Sequence, residues 1–486
     1  MYRSITRRQF IQQTTFAAAA LCASSKSVAA QLASNGVAQK AAAVDSAAVR
    51  KLASQLSGHL ITTDAPEYET ARLVFNRAFD QHPALIVRCA SETDVARVLE
   101  FTRKWNLPLA VRAGGHSRAG FGVCEGGVVI DLSGMRRIEL DRGKRVARAA
   151  GGALLRDLDE ALEPSGLATT AGGCPNVGLA GFTLGGGLGV LMPMYGAGCD
   201  NLISARVVTA DGRQVEASHE SNPDLFWAIR GGGGNFGVVT SFEYSLHPVG
   251  KVLAGPLTYA ASGRIAELLQ SFAKFTETAP DEMDPLGEFL PSKQGPVFIN
   301  HVCYVGEARI GNDLLTPLRA LKPIDDEVRV VSYFEAQTAG FTPAPAPHFQ
   351  TDLFLPELNT PAVRAIGAAM SDAPPLSRVL IVPFFGAVTR IPIGDMAFAM
   401  RQTGHEIDIQ CRWSSDSEKS NAVTWVKKLN EDLKPFARGL YVNQTTDRSP
   451  ELAKWAYGAN YARLVEIKRK YDPDNLLRLN QNINPV

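Results

Sequence analysis

The chain has 486 residues, 45% of them hydrophobic, enough to bury a large core and to divide into more than one domain. Its 50 Lys and Arg balance 49 Asp and Glu, which argues against a partner recognised through bulk charge, such as nucleic acid or an anionic membrane surface. No apolar run reaches the roughly 18 residues of a membrane span, so no stable membrane insertion is expected.

The first thirty residues read as a leader rather than as fold. Thr6-Arg7-Arg8-Gln9-Phe10-Ile11 is a twin-arginine pattern, followed by a mildly apolar stretch over 14–23 and a small-residue end, Ser27-Val28-Ala29-Ala30. Export of a folded protein by the twin-arginine (Tat) machinery, to the periplasm or outside the cell, is one reading. A basic N-terminus ahead of an alanine tract is the other. Residues 31–65 read as linker or N-terminal helix. Short strands are then predicted over 84–88, 109–112, 128–132 and 146–149. Ser91-Glu92-Thr93-Asp94 caps a helix running through Lys104, and 154–165 is a second helix. Strands over 203–210 and 238–244 close this region near Val249.

From residue 250 the glycine density falls. Helices over 264–278, 311–321 and 361–371 alternate with strands over 297–304, 379–385 and 407–413, the pattern of an antiparallel sheet backed by helices. A helix over 461–471 precedes a polar tail. The fold class is α+β.

Six cysteines follow the leader, Cys89, Cys124, Cys174, Cys199, Cys303 and Cys411, with no CxxC, and the histidines form no HxH or HExxH. No metal site is expected. An exported protein permits a disulfide. If Cys174 is engaged elsewhere, the remaining number is odd and at least one thiol stays free.

Glycine marks the chemistry. Arg112-Ala113-Gly114-Gly115-His116-Ser117 and Gly172-Gly173-Cys174-Pro175 each hold a nucleophile in a turn where backbone can approach a large flat ligand. Gly185-Gly186-Gly187 follows. Gly232-Gly233-Gly234-Asn235-Phe236-Gly237 matches G-x-G-x-x-G, yet it follows a helical stretch and opens a strand, the reverse of a dinucleotide fingerprint.

Together with Val129-Ile130-Asp131-Leu132-Ser133-Gly134-Met135, Leu184-Gly185-Gly186-Gly187-Leu188-Gly189, Asp224-Leu225-Phe226-Trp227-Ala228-Ile229-Arg230 and the tail from Asn460-Tyr461 to Asn480-Gln481-Asn482-Ile483, these blocks resemble, in order, the berberine-bridge-enzyme-like branch of the vanillyl-alcohol-oxidase flavoprotein superfamily. The resemblance implies a two-subdomain PCMH-type FAD-binding domain over 66–249 and a substrate domain over 250–440. It also implies a C-terminal segment over 441–486 that returns to the FAD domain. FAD would lie extended, with Arg112, Gly114, Gly115, Ser117, Gly178, Gly181, Gly185, Gly186, Gly187, Val239 and Asn480 around it and backbone amides on its diphosphate. His116 stands where the family bonds the flavin 8α carbon, and Cys174 where bicovalent members bond carbon 6. The plainer alternatives are a hydrogen-bonding loop histidine and a small buried thiol. Phe182 departs from the histidine many members carry, which bears on flavin attachment.

The resemblance also points to Tyr441 in Tyr441-Val442-Asn443 as the base, although a free phenol has a pKa of about 10, and otherwise as a strand tyrosine packing on the flavin. Gln410 stands where relatives carry Gln or a catalytic Glu. It cannot be a base, and it either orients the substrate hydroxyl or is a surface strand residue. Tyr195 lines the flavin pocket or belongs to the core. The expected activity is FAD-dependent oxidation of a CH–OH group of a sugar or alcohol by hydride transfer to flavin N5, with O2 as acceptor. Oxidation or cyclisation of a phenolic or terpenoid metabolite is the second reading, which the apolar stretch over 188–195 allows. A periplasmic binding protein is the third, and the pairing of His116 with Cys174 argues against it.

Overall fold

The computed structural model describes residues 45–338 and 344–486; the twin-arginine pattern lies outside the described residues. From Asp45, whose side chain accepts the Ala47 N–H, the chain forms the helix Ser46–Gln55. The strand His59–Thr62 follows, inside the stretch that reads as linker or N-terminal helix. Only Ile61 is buried on it, too short a pattern for a period-two signal.

Among the described residues this strand edges a four-stranded sheet, followed in space by Leu85–Arg88, Val128–Asp131 and Leu109–Arg112, these three parallel. Val128–Asp131 is buried at every position, as a central parallel strand covered on both faces requires. The Ser91 hydroxyl caps the helix Glu92–Lys104 by accepting the Asp94 N–H. Asp94 in turn accepts the amides of Ser57, Gly58 and Ala90 at 2.9–3.0 Å, tying the helix to the sheet.

A five-stranded antiparallel sheet runs Ile138–Asp141, Val146–Ala150, Val238–Ser245, Leu202–Val208, Gln214–Ser218. The G-x-G-x-x-G match lies between the helix Pro223–Ile229 and the strand Val238–Ser245, as the sequence indicates. Asn235, fully buried, donates to the Gly232 and Gln481 carbonyls and accepts the Ile483 N–H. The buried Lys468 ammonium donates to the Asn235 carbonyl at 2.9 Å and to Asp472 at 2.7 Å. The tail is thereby bound back onto the first half of the chain.

The strand Lys251–Ala260 begins the largest sheet, antiparallel throughout. Its order from one edge is Asp325–Asp326, Lys251–Ala260, Val297–Tyr304, Met283–Leu290, Ser377–Phe384, Gly404–Arg412, His348–Leu355, with Arg329–Ser332 also pairing on Lys251–Ala260. One face is apolar: Phe289, Val379, Ile381, Ile407 and Ile409 pack in one core with Leu268, Phe272, Ile366, Trp425 and Leu429. Those partners come from the helices Ile265–Thr278, Thr360–Ser371 and Asp416–Leu433. The fold is thus α+β, with the last of these helices and the strand His348–Leu355 unanticipated in sequence. The helix expected over 311–321 is two, Ala308–Leu314 and Thr316–Arg319, because Pro317 has no N–H to continue the first.

Asp159, on the helix Leu155–Leu162, is 6% exposed and its Oδ2 has no hydrogen-bond partner. Burial raises its carboxyl to about 7. The folded state therefore keeps a proton that the unfolded chain loses above about pH 4, so stability falls as pH rises from about 4 to about 7, by about 1.4 kcal/mol per unit. Asp159→Asn removes this dependence. Its melting temperature is expected to exceed the parent's by more at about pH 8 than at about pH 5; an equal gap at both would show that Asp159 is not the group.

Candidate active site

The strand Leu109–Arg112 runs straight into the first glycine loop, where Gly115 has φ +68°, a conformation side chains disfavour. Beneath it Arg112 donates through Nη2 to Asp131 at 2.7 Å, and both side chains are buried. Ser117 Oγ accepts the Phe121 N–H at 3.2 Å. The second loop leads through Cys174 to Gly178 and the short helix Leu179–Leu184. The loops lie back to back. A Cβ on Gly114 would fall 2.4 Å from the Gly178 nitrogen, and one on Gly178 would fall 2.3 Å from the Gly114 nitrogen.

Among the described residues the amides of 114–118 find no acceptor within the chain, and the space beside the Gly181 Cα is open. A run of unpaired N–H groups beside glycine is the donor set that a diphosphate takes, so the residues present fit FAD. His116 Nδ1 is buried without a hydrogen-bond partner, and its ring stacks on Phe75 at 3.9 Å and 20°. Burial, aided by Arg118, pushes the imidazole down to about 3, so it is neutral with a lone pair to offer. Burial raises the Cys174 thiol, opposed by Arg118, by the Asn176 N–H and by Arg378. Asn480 donates to the Leu477 carbonyl and leaves its Oδ1 buried without a partner. Val239 is a core residue of the five-stranded sheet, 3% exposed.

Gly185, Gly186 and Gly187 differ from residues 114–118 in that their amides have acceptors within the chain. Their N–H groups donate to the Gly181 carbonyl, the Thr183 carbonyl and the Tyr441 oxygen. A Cβ at these positions would meet Asn443, Phe398 and Phe182 within 2.3–2.6 Å. They are glycines for packing. Phe182 fills the space among Gly172, Gly187 and Gly198, each of whose hypothetical Cβ would come within 3.0 Å of its ring. Tyr195 stacks on His247 at 3.7 Å beside buried Leu191, and the apolar stretch around it belongs to the core.

The other wall is the face of the large sheet turned away from its helices. Pairing aligns His348 with Arg412, Gln350 with Gln410 and Arg378, Asp352 with Asp408, and Phe354 with Glu406. Alternation then puts all of these side chains on one face. Gln410 is buried and donates to Gln350 at 2.5 Å, and Gln350 donates to Gln444 at 2.7 Å. Arg378 donates to Asp408 at 3.1 Å and lies 3.8 Å from Glu288, which also accepts from His301 at 3.0 Å. Burial drives the carboxyls of Asp352 and Glu406 well up, each reinforced by neighbouring acids. Asp408 is also raised by burial, with Arg378 and Arg118 opposing. Tyr441 is 3% exposed; its oxygen accepts from Gly187 at 3.0 Å and from Asn443 Nδ2 at 2.9 Å, and its backbone N–H donates to Asp352 at 2.5 Å. Burial nevertheless pushes the phenol upward, so it is neutral at ordinary pH.

Asn76 clamps the two walls together. Its side chain donates to the Arg118 and His348 carbonyls at 2.7 and 3.2 Å and accepts the His348 N–H. His116 and Cys174 stand on the glycine-loop wall, and Gln410 and Tyr441 stand on or beside the sheet wall. The structure adds Arg118, Arg378, Arg412, His348, Asp352, Glu406 and Asp408, which sequence reasoning missed. Their signal was present as the alternation Glu406-x-Asp408-x-Gln410-x-Arg412.

The FAD binding domain family matches residues 83–218, and the berberine and berberine-like family matches residues 440–484. The chain is 31% identical over 450 residues to the uncharacterized FAD-linked oxidoreductase YgaK of Bacillus subtilis, covering 89% of this chain and 98% of that protein. It is 30% identical over 456 residues to the (R)-6-hydroxynicotine oxidase of Paenarthrobacter nicotinovorans, covering 90% and 99%. Among solved structures, 6-hydroxy-D-nicotine oxidase from Arthrobacter nicotinovorans superposes with a TM-score of 0.82 at 29% identity, covering 89% and 99%.

Gly178→Ala tests the cradle. Its backbone suits alanine, at φ −69° and ψ 124°, so the fault introduced is the clash with the first loop, 2.3 Å from the Gly114 nitrogen, 3.0 Å from its Cα and 3.1 Å from the Ala113 Cβ. The purified variant is expected to carry much less flavin per protein by absorbance. Full flavin content would mean that the close approach of the loops does not matter to the cofactor.

Proposed function

The chain belongs to the berberine-like FAD-linked oxidoreductases and binds FAD, and from that premise we propose that it holds the flavin covalently and oxidises a CH–OH group of a sugar or alcohol. His116 is the attachment point, Cys174 the second, and O2 the acceptor of the electrons. The observation that carries the reading is the position of His116: a neutral imidazole with a bare, buried Nδ1, in a loop of unpaired amides and within reach of a charged sheet face. The relative that oxidises 6-hydroxynicotine supports an oxidase acting on a small molecule.

When bound, the flavin supplies a two-electron acceptor for the substrate's hydride. The chain must then hold the substrate hydroxyl and take its proton. A buried carboxyl raised by burial from its low ordinary range suits that transfer better than a phenol, ordinarily already high, that burial raises further. We assign the proton to the Asp352–Asp408 row of the sheet, the hydrogen bond that orients the hydroxyl to Gln410, and the shape of the pocket beside them to Tyr441. The buried charges on this wall disfavour an apolar terpenoid substrate.

The test is anaerobic. Flavin that stays with the protein through acid precipitation should be bleached by at least one sugar or alcohol donor, and His116→Ala should release flavin on precipitation if Cys174 is also changed to Ser. Flavin that is bound yet bleached by no such donor would overturn the assignment of substrate class. Tyr441→Phe is expected to keep the acid limb of the kcat/KM profile against pH, whereas Asp352→Asn should remove or move it. The opposite pattern would return the base to Tyr441.

A further inference from the structure

The charge on the sheet wall is not evenly spread. Ordered by strand register, the face runs from Arg412 and His348, through Arg378, Gln410 and Gln350, to Asp408 and Asp352, and ends at Glu406 and Phe354. Acids gather at one end and cations at the other. Arg378 has its anions, Asp408 and Glu288. Among the described residues neither Arg118 nor Arg412 forms an ion pair; the Phe75 ring lies 5.5 Å from the Arg118 guanidinium, and Arg412 donates to the Ala344 carbonyl.

Arg118 lies deep within the protein mass, yet the residue as a whole is only half-buried. Asn76 donates to both the Arg118 and the His348 carbonyls, which sets Arg118 at the cationic end of the sheet face, and its electrostatic neighbours include Asp408, Arg378 and Cys174. His348 adds no charge. Its Nδ1 faces the Ala346 carbonyl at 3.0 Å and so bears the hydrogen, leaving a buried Nε2 lone pair without a partner. Burial first, then Arg118 and Arg378, brings the Arg412 guanidinium down to about 10, the mark of an uncompensated positive field. A desolvated guanidinium without an anion is unfavourable, and a planar carboxylate is the group its fork fits.

We propose that the substrate is a hydroxy acid, whose carboxylate docks between Arg118 and Arg412 while its hydroxyl carbon lies toward Gln410, Asp408 and Asp352. The inference rests on the oxidation assigned above and narrows its substrate class. The flavin itself is a poor candidate for Arg118. Attachment through His116 and Cys174 would put the benzenoid edge beside this side chain, and the negative charge of reduced flavin lies at the other end, near N1.

Two independent measurements decide it. The first is equilibrium binding to the holoenzyme, by calorimetry, of acetate and benzoate against their neutral twins acetamide and benzamide. At least one carboxylate should bind at least about tenfold more tightly than its amide. Arg118→Met should weaken it about tenfold, with flavin content and melting temperature unchanged, and Arg118→Lys should restore part of the loss. The second compares anaerobic flavin reduction by glucose with glucuronate, and by benzyl alcohol with 4-(hydroxymethyl)benzoate. The acid of at least one pair should be favoured, mainly through KM. Equal binding of acids and amides, or a carboxylate preference that survives both Arg118→Met and Arg412→Met, would overturn the proposal. Loss of flavin from Arg118→Met would instead assign the guanidinium to the cofactor and overturn it as well. Carboxylate binding without bleaching by any donor would leave the anion site standing and sink only the oxidation.

Discussion

A sheet covered on both faces normally carries aliphatic side chains on both, and here one face carries acids, amides and guanidinium groups instead. That constraint organises the site. Burying so many charges is tolerable only where each is paired, hydrogen-bonded or kept protonated. Arg378 sits at the centre of that arrangement, shared between Asp408 and Glu288, while Gln350 and Gln410 carry hydrogen bonds along the next row. The opposite face, packed on three helices, fixes the register that sets these groups side by side.

The second wall has to be pliant enough to approach that face and rigid enough to present His116. Glycine provides the approach, because only bare backbone lets the two loops touch at Gly114 and Gly178. Rigidity comes from below and from the side. Arg112 is held by Asp131, the His116 ring lies on Phe75, and Asn76 joins the loop to the first residue of the strand His348–Leu355. The C-terminal segment closes the assembly by setting Tyr441 and Asn443 against the Gly181–Gly187 turn.

The two glycine loops and their nucleophiles were legible in the sequence because their signal is local: a strand ends, glycines follow, and one reactive side chain stands among them. Most strands of the first half were legible for the same reason, but Ile138–Asp141 and Gln214–Ser218 were not. Residues 185–187 show the limit, since three consecutive glycines look like a phosphate nest whether or not their amides are already bonded. The sheet wall lay beyond local reading. Gln410 could be singled out, but Asp408 and Glu406 on the same strand gain meaning only when Asp352 and Arg378, far off in sequence, are brought into register beside them. Arg118, two residues from His116, is a plain charged loop residue until the structure turns it toward that face. The strand His59–Thr62 was too short to carry a pattern.

The proposed attachment of one flavin through the neutral, buried His116 and the Cys174 thiol is open to direct test. The most direct measurement is the mass of the proteolytic peptides containing His116 and Cys174 from the purified holoenzyme. The two peptides are expected to be recovered joined through a single FAD. Recovery of both at their unmodified masses, from protein that contains stoichiometric flavin, would contradict that attachment.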